Sequence, residues 1–341
     1  MHAIRLHAFG PAENLTYEEI PDPVPGPGQV RVAVTAAGVH LLDTALRRGQ
    51  SGPFPAPAEL PTIPGREVAG TVDALGEGTD PAWLGKRVVA HLGLAPGGYA
   101  ELAVVDAARL HELPDTLGDT EAVAMIGTGR TTLGILQFTE LGPDSVAVVP
   151  AAAGGIGTLL VQYAKNAGAT VIGLAGGPEK VALVQDNGAD LAVDYTLPHW
   201  PDEVRAFLGR LPRTPSGGTP MATVVFDSVG GDTGRAAVDL LGKGGQHLVF
   251  GWSGKGPHDG EPLTFTEEEL AARGITSESV LGPVMIQKAG GDIRNLELAS
   301  LAAATAGHLR PAVHPFPLAE ASTAHRALET RGTVGKVVLI P

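Results

Sequence analysis

The stretch 145–165 has the residue types and spacing best suited to chemistry. A short apolar run, 146–149, stops at Pro150, and a turn of small residues follows, Ala151-Ala152-Ala153-Gly154-Gly155-Ile156-Gly157. Leu159, Leu160, Tyr163 and Ala164 then recur at helical spacing. Strand, small-residue turn and helix are the context in which a glycine fingerprint binds a dinucleotide. Ala152 stands at the first fingerprint place, and Gly154 and Gly157 hold the other two. Glycine at 154 lets backbone approach a pyrophosphate, and glycine at 157 lets helix pack close on strand. The amides opening the helix, Gly155 and Ile156 among them, attract phosphate with the help of the helix dipole. The alternative is a tight strand–helix turn that needs its glycines for packing alone. In a chain with 47 glycines, only the flanking pattern separates the two readings.

A turn that selects NAD places a carboxylate about 20 residues past the glycines, at the end of the second strand. Here that strand ends Gly173-Leu174-Ala175-Gly176-Gly177, with no carboxylate, and Lys180 follows in the first turn of the next helix. A cation without a competing anion suits a 2′-phosphate, so the expected cofactor is NADPH. Glu179 is explained by the helix dipole. A solvated helix lysine is the competing reading of Lys180. Ser253, in Phe250-Gly251-Trp252-Ser253, follows the fifth strand. It is expected at the carboxyl edge of the sheet, where such folds bind ligands, with backbone at Phe250 and Gly251 lining the nicotinamide half.

The chain has no cysteine. Thiolate nucleophiles, disulfides, iron–sulfur clusters and thiolate zinc sites are therefore excluded. A net charge of −13 argues against a nucleic-acid partner. No run of about 18 uncharged apolar residues predicts a membrane span. The first twenty residues lack a basic start followed by an apolar core, so a cytoplasmic protein is expected.

These residues need a scaffold. The first third reads as short strands (30–34, 68–72, 87–91, 99–105) split by Gly and Pro, with one short helix at 41–48 and a proline-rich loop at 50–64. Beyond a helix at 122–138, strands are expected at 146–149, 171–174, 191–193, 223–227, 246–250 and 276–281. Helices at 157–167, 178–187, 200–211 and 231–241 alternate with them. That is a βαβ series, hence an α/β fold with a doubly wound parallel sheet. The segment 212–220 reads as a surface loop. The tail, a helix at 293–307 and a strand at 335–340, is too small for a domain and is expected to complete the first one.

With these segments in order, the chain resembles the medium-chain dehydrogenases/reductases, and among them the zinc-free quinone oxidoreductase, ζ-crystallin-like group. The resemblance rests on Ala36-Ala37-Gly38-Val39, Pro64-Gly65-Arg66-Glu67-Val68-Ala69-Gly70, Gly97-Gly98-Tyr99-Ala100-Glu101, the glycine turn, Val225-Phe226-Asp227-Ser228-Val229-Gly230 and Gly335-Lys336-Val337-Val338. It implies a GroES-like β-barrel domain, 1–122 with 286–341, and a Rossmann NADP-binding domain, 123–285. It places Val229 by the cofactor, and Lys180, Tyr195 and Arg331 around the 2′-phosphate. It sets His40 and Arg66 where zinc members hold metal, and a fixed cation cannot ligate. Arg66 is expected to close that place through Asp43 or Glu67. Asp43 matches a family position that orients its neighbours. Thr131 matches a threonine near the nicotinamide, with Thr132 as the alternative alignment. Relatives carry Asn at the place of His40 and Tyr near Ser51, and both differ here. His40 is either a proton donor, with a reference pKa of about 6.5 suited to that work, or a hydrogen-bonding wall. Tyr99 reads as a core aromatic.

The expected function is zinc-independent, NADPH-dependent hydride transfer to a quinone or α,β-unsaturated carbonyl, by a homodimer paired through sheet edges near 276–281. An enoyl-thioester reductase, a nucleotide-bound structural or RNA-binding protein, and an NADPH sensor without turnover are the rival readings.

Overall fold

The computed structural model describes residues 1–51, 56–93, 96–212, 218–255 and 260–341. The expected loops at 50–64 and 212–220 therefore lie partly outside the described residues. The chain divides into two compact units, 1–129 with 297–307 and 311–341, and 130–296 with 308–310.

The first unit is built on a seven-stranded sheet. Its order is Val313–Pro317, Lys336–Ile340, Gln29–Gly38, Glu67–Leu75, Arg87–His91 and His111–Glu112, with Leu102–Asp106 paired to Gln29–Gly38 off this path. All pairings are antiparallel except that of Val313–Pro317 with Lys336–Ile340. Val30, Val32 and Val34 face inward at alternate positions of the long strand and are buried with Val68, Val72 and Val88, the period of 2 that a half-buried strand demands. A separate hairpin joins His2–Leu6 to Leu15–Glu19.

The second unit carries a six-stranded sheet, all parallel, in the order Leu191–Asp194, Thr170–Ala175, Val146–Val149, Ala222–Asp227, Leu241–Val249, Thr276–Ser279. The expected strands are all present, and the order reverses beside Val146–Val149. Its four residues are buried, as in a central strand covered on both faces.

Two local expectations are corrected. The helix expected over 122–138 is three segments: an α-helix Asp119–Ala124, a π-helical turn Met125–Gly129 and an α-helix Arg130–Leu136. The strand expected from Tyr99 begins at Leu102. Tyr99 stays in the preceding turn, its N–H donating to the Pro64 carbonyl at 2.9 Å.

Candidate active site

In the first unit the strand Gln29–Gly38 runs through Val39 into His40, which precedes the helix Leu41–Arg47. The His40 backbone N–H donates to the Asp43 carboxylate at 2.8 Å, which fixes the start of the helix. Asp43 is buried and holds two further partners. The Arg66 guanidinium donates to Oδ1 at 3.4 Å and the Tyr99 hydroxyl to Oδ2 at 3.1 Å. Arg66 thus closes on Asp43. Tyr99 is not a plain core aromatic: it also stands 3.1 Å from His325 Nε2. Burial, then the Asp43 charge, raises the Tyr99 hydroxyl well above its usual range. Burial lowers His325 to about 4, with Arg47 pushing the same way and Asp43 against it. Gly65, at φ +87°, is required beneath the tyrosine, because a Cβ there would lie 2.6 Å from its Cε1.

A second cluster meets the His40 imidazole. Its Nε2 lies 2.5 Å from Glu67 Oε1, and Lys336 Nζ lies 2.8 Å from Glu67 Oε2. Lys336 Nζ also makes a 3.0 Å hydrogen-bond contact with His40 Nε2. Glu67 is fully buried and Lys336 nearly so, while the His40 side chain is 30% exposed. Neither Glu67 oxygen has a well-angled hydrogen bond, so charge balances the carboxylate. Burial alone raises the Glu67 pKa; the charges of His40 and Lys336 outweigh it and hold the carboxyl far below its ordinary range, with His91 a smaller contributor. Two glycines leave room for the cluster. A Cβ on Gly127, in the π-helical turn, would sit 2.6 Å from the Glu67 carboxyl carbon and 3.1 Å from His40 Cε1. A Cβ on Gly38 would sit 3.1 Å from Lys336 Cε. The π-helical turn thus has a local purpose, as single π turns often do at functional sites.

In the second unit the glycine turn is built as a dinucleotide turn requires. Val146–Val149 leads into Ala151, at φ +52°, and the helix Gly155–Asn166 starts from an extended Gly154 that offers no side-chain cap. Its first amides are left for a ligand. A Cβ on Gly157 would lie 2.7 Å from Ala152 Cα, so only glycine permits this helix–strand approach. Alanine is accommodated at 152 because the facing strand has Gly173, where a Cβ would lie 3.2 Å from that of Ala152. The strand Thr170–Ala175 ends without a carboxylate, and Lys180 lies in the first turn of Pro178–Asp186. Tyr195 is drawn to the same strand end. Its N–H donates to Ala175 at 3.1 Å, and a Cβ on Gly176 would stand 3.6 Å from its hydroxyl.

The next strand end is also ordered. Asp227 accepts the Val229 and Gly230 amides on Oδ1, each at 2.8 Å, and His247 Nε2 lies 3.1 Å from its Oδ2. Ser253 is tied to the Ser228 carbonyl by its N–H at 3.1 Å and its hydroxyl at 3.2 Å. Val229 and Phe250 are buried, and Gly251 and Ser253 are half-buried. Thr131 is half-buried and Thr132 fully buried, both in the second unit. Arg331 is exposed, at φ +59°, and belongs to the first unit.

Within single units, the structure therefore joins His40 to Asp43, and Tyr195 to the strand end preceding Lys180. His40 and Arg331 fall in one unit, Thr131 and Lys180 in the other. Lys336 and the buried His325 were missed as site residues. The signal for Lys336 was a charge opening the apolar run Lys336-Val337-Val338-Leu339-Ile340. Such a residue is buried only with a partner. Among the described residues, no group of three or more His, Asp or Glu is arranged to hold a metal ion.

A chain that combines a six-stranded parallel dinucleotide-type sheet with a largely antiparallel GroES-like unit has the make-up of the medium-chain dehydrogenase/reductase class. Residues 26–115 match the alcohol dehydrogenase GroES-like domain family and residues 155–289 the zinc-binding dehydrogenase family. The chain is 33% identical to a quinone oxidoreductase of Pseudomonas aeruginosa, over 99% of both chains. It is 31% identical to a 2-haloacrylate reductase of Burkholderia, over 98% of both. The structure of Escherichia coli quinone oxidoreductase complexed with NADPH superposes with a TM-score of 0.82, at 28% identity and full coverage of both chains. The chain belongs to the medium-chain dehydrogenase/reductase family, in its quinone oxidoreductase group.

Proposed function

We propose that this protein reduces quinones or α,β-unsaturated carbonyls with NADPH. The observation that carries the reading is the cofactor end of the second unit: a glycine turn with uncapped amides, then a strand end without a carboxylate, then Lys180. The NADPH complex of the Escherichia coli relative supports it, and the 2-haloacrylate reductase supports activated alkenes among the acceptors. The residues fit the cofactor. Ala152, Gly154, Gly155, Ile156 and Gly157 would hold the pyrophosphate. Lys180, Tyr195 and Arg331 would hold the 2′-phosphate, and Val229, Phe250, Gly251 and Ser253 the nicotinamide end. When bound, NADPH supplies the hydride.

The chain's own residues position the acceptor and handle the proton. His40 holds a proton for the oxygen of the reduced acceptor, Asp43 fixes His40 through its backbone N–H, and Thr131 hydrogen-bonds near the reacting end. In this reading 123–285 supplies most of the cofactor contacts, and 1–122 with 286–341, Arg331 apart, serves the acceptor. The protein works as a cytoplasmic homodimer paired through Thr276–Ser279, the outer strand of its sheet among the described residues. No helix among those residues is long and apolar enough to cross a membrane. His40→Asn tests the proton role. General acid catalysis contributes about 10²-fold or more, so kcat should fall by about that factor and the pH profile flatten. An unchanged rate and profile removes His40 as the acid.

A further inference from the structure

The strand end at Asp227 belongs to a chain of polar side chains that crosses three strands of the parallel sheet. His247, on Leu241–Val249, stands fully buried between Ala222–Asp227 and Thr276–Ser279. A polar ring at that depth is costly unless its nitrogens are bonded. Both are. Nδ1 lies 2.8 Å from Ser277 Oγ on one neighbouring strand, and Nε2 lies 3.1 Å from Asp227 Oδ2 on the other. A carboxylate only accepts, so Nε2 carries a proton and donates it. The serine hydroxyl donates or accepts, and serves Nδ1 in either protonation state. Phe265 meets the imidazole edge-on, with ring centroids 5.8 Å apart and planes at 90°, which fixes the tilt of the ring. Gly234 leaves room for the carboxylate, because a Cβ there would lie 2.6 Å from Asp227 Oδ2.

With Oδ2 held by the imidazole, Oδ1 is aimed at the turn 228–230 and accepts the Val229 and Gly230 amides. That turn holds the segment after the next strand. The Ser228 carbonyl accepts the Ser253 N–H at 3.1 Å, and the Val229 carbonyl accepts the Gly254 N–H at 2.6 Å. A Cβ on Gly251 would lie 2.9 Å from the Ser228 carbonyl oxygen, so backbone meets backbone here.

On the reductase reading above, we propose that His247 is the positioning residue of the nicotinamide end. It orients Asp227 through Nε2, and Asp227 sets the turn 228–230 against Gly251 and Ser253. A histidine that only joined strands would need no more than its Nδ1 contact to Ser277. The additional feature is the Nε2 contact to a carboxylate whose other oxygen holds the cofactor turn. The pyrophosphate and 2′-phosphate positions lie at other strand ends, so loss of this contact bears on placement of the reacting ring rather than on affinity.

Leucine fills the site without a donor. His247→Leu should lower kcat about 10- to 100-fold, the cost of a small misplacement of reacting groups, with little change in NADPH affinity. His247→Gln, whose amide donates to Asp227, should recover most of the rate. A His247→Leu protein with wild-type kcat overturns the proposal. So does one that loses NADPH affinity as much as rate, since that histidine would be structural. A second readout needs no turnover. In the cofactor-free protein, amide exchange at Val229 and Gly230 should quicken about tenfold or more in His247→Leu, with the amides of Ala222–Asp227 unchanged. Unchanged exchange at Val229 and Gly230 overturns the proposal. A third readout uses the wild-type protein alone, whether or not His247→Leu folds. The His247 imidazole, assigned through its own side-chain carbons in 13C,15N-labelled protein, should carry a proton on Nε2. A bare Nε2 overturns the proposal. Failure of the wild-type protein to oxidise NADPH with any acceptor would instead sink the reductase reading, which the exchange and nitrogen measurements do not address.

Discussion

At the scale of single residues, charge placement underlies the proposed cofactor choice and an expected acid sensitivity. Lys180 follows a strand end with no carboxylate to repel a 2′-phosphate. Its loss should cost about 1.5–3 kcal/mol, about 10- to 100-fold in NADPH affinity, with NADH affinity little changed. Titrating Lys180→Ala with both cofactors checks this, and equal weakening would refute the assignment. The buried His325 makes a separate prediction. Its folded pKa of about 4 lies below the value of about 6.5 expected when unfolded. The unfolded chain therefore binds more protons between those values, so stability is full above about pH 6.5 and declines as pH falls towards 4. The loss attributable to this one histidine is about 3 kcal/mol. Urea unfolding across that range should show a shallower acid loss for His325→Gln than for wild type. Parallel curves would mean that the imidazole is protonated in the folded protein.

At the scale of elements, one close approach decides the geometry of the cofactor turn. The Gly157 Cα faces the backbone of Ala152, and an added Cβ would come within 2.7 Å of the Ala152 Cα. Backbone cannot yield as a flexible side chain does. Gly157→Ala should therefore cost about 1–3 kcal/mol through overpacking and weaken NADPH by shifting the helix start. A thermal melt and an NADPH titration measure both effects, and an unchanged melting temperature would contradict the packing argument. This turn was legible in the sequence because its strand, glycines and helix are contiguous, and local spacing reports local geometry. The cluster of His40, Glu67 and Lys336 was not, because Lys336 and His40 lie 296 residues apart and meet only through the fold. The π-helical turn at Met125–Gly129 escaped for the same reason. Its apolar spacing suits an ordinary helix, and its extra residue makes sense only once Gly127 is seen against Glu67. Tyr99 reads as a core aromatic until its hydroxyl is found between Asp43 and His325.

At the scale of the whole molecule, one unit carries an all-parallel sheet of the dinucleotide-binding type and the other a largely antiparallel sheet with the cluster of His40, Glu67 and Lys336. A net charge of −13 provides no general attraction for an anionic cofactor, so the proposed recognition of NADPH has to come from local features such as the uncapped amides that open the helix Gly155–Asn166. If His40 is the proton donor proposed above, His40→Asn should leave the fold intact and slow protonation of the reduced acceptor. The most direct measurement is NADPH consumption by the purified protein over a panel of quinones and activated alkenes, repeated with NADH. Turnover with at least one acceptor class is expected, with a kcat/KM at least tenfold higher with NADPH than with NADH. Bound NADPH with no consumption across the whole panel would contradict it and identify a sensor in place of a reductase.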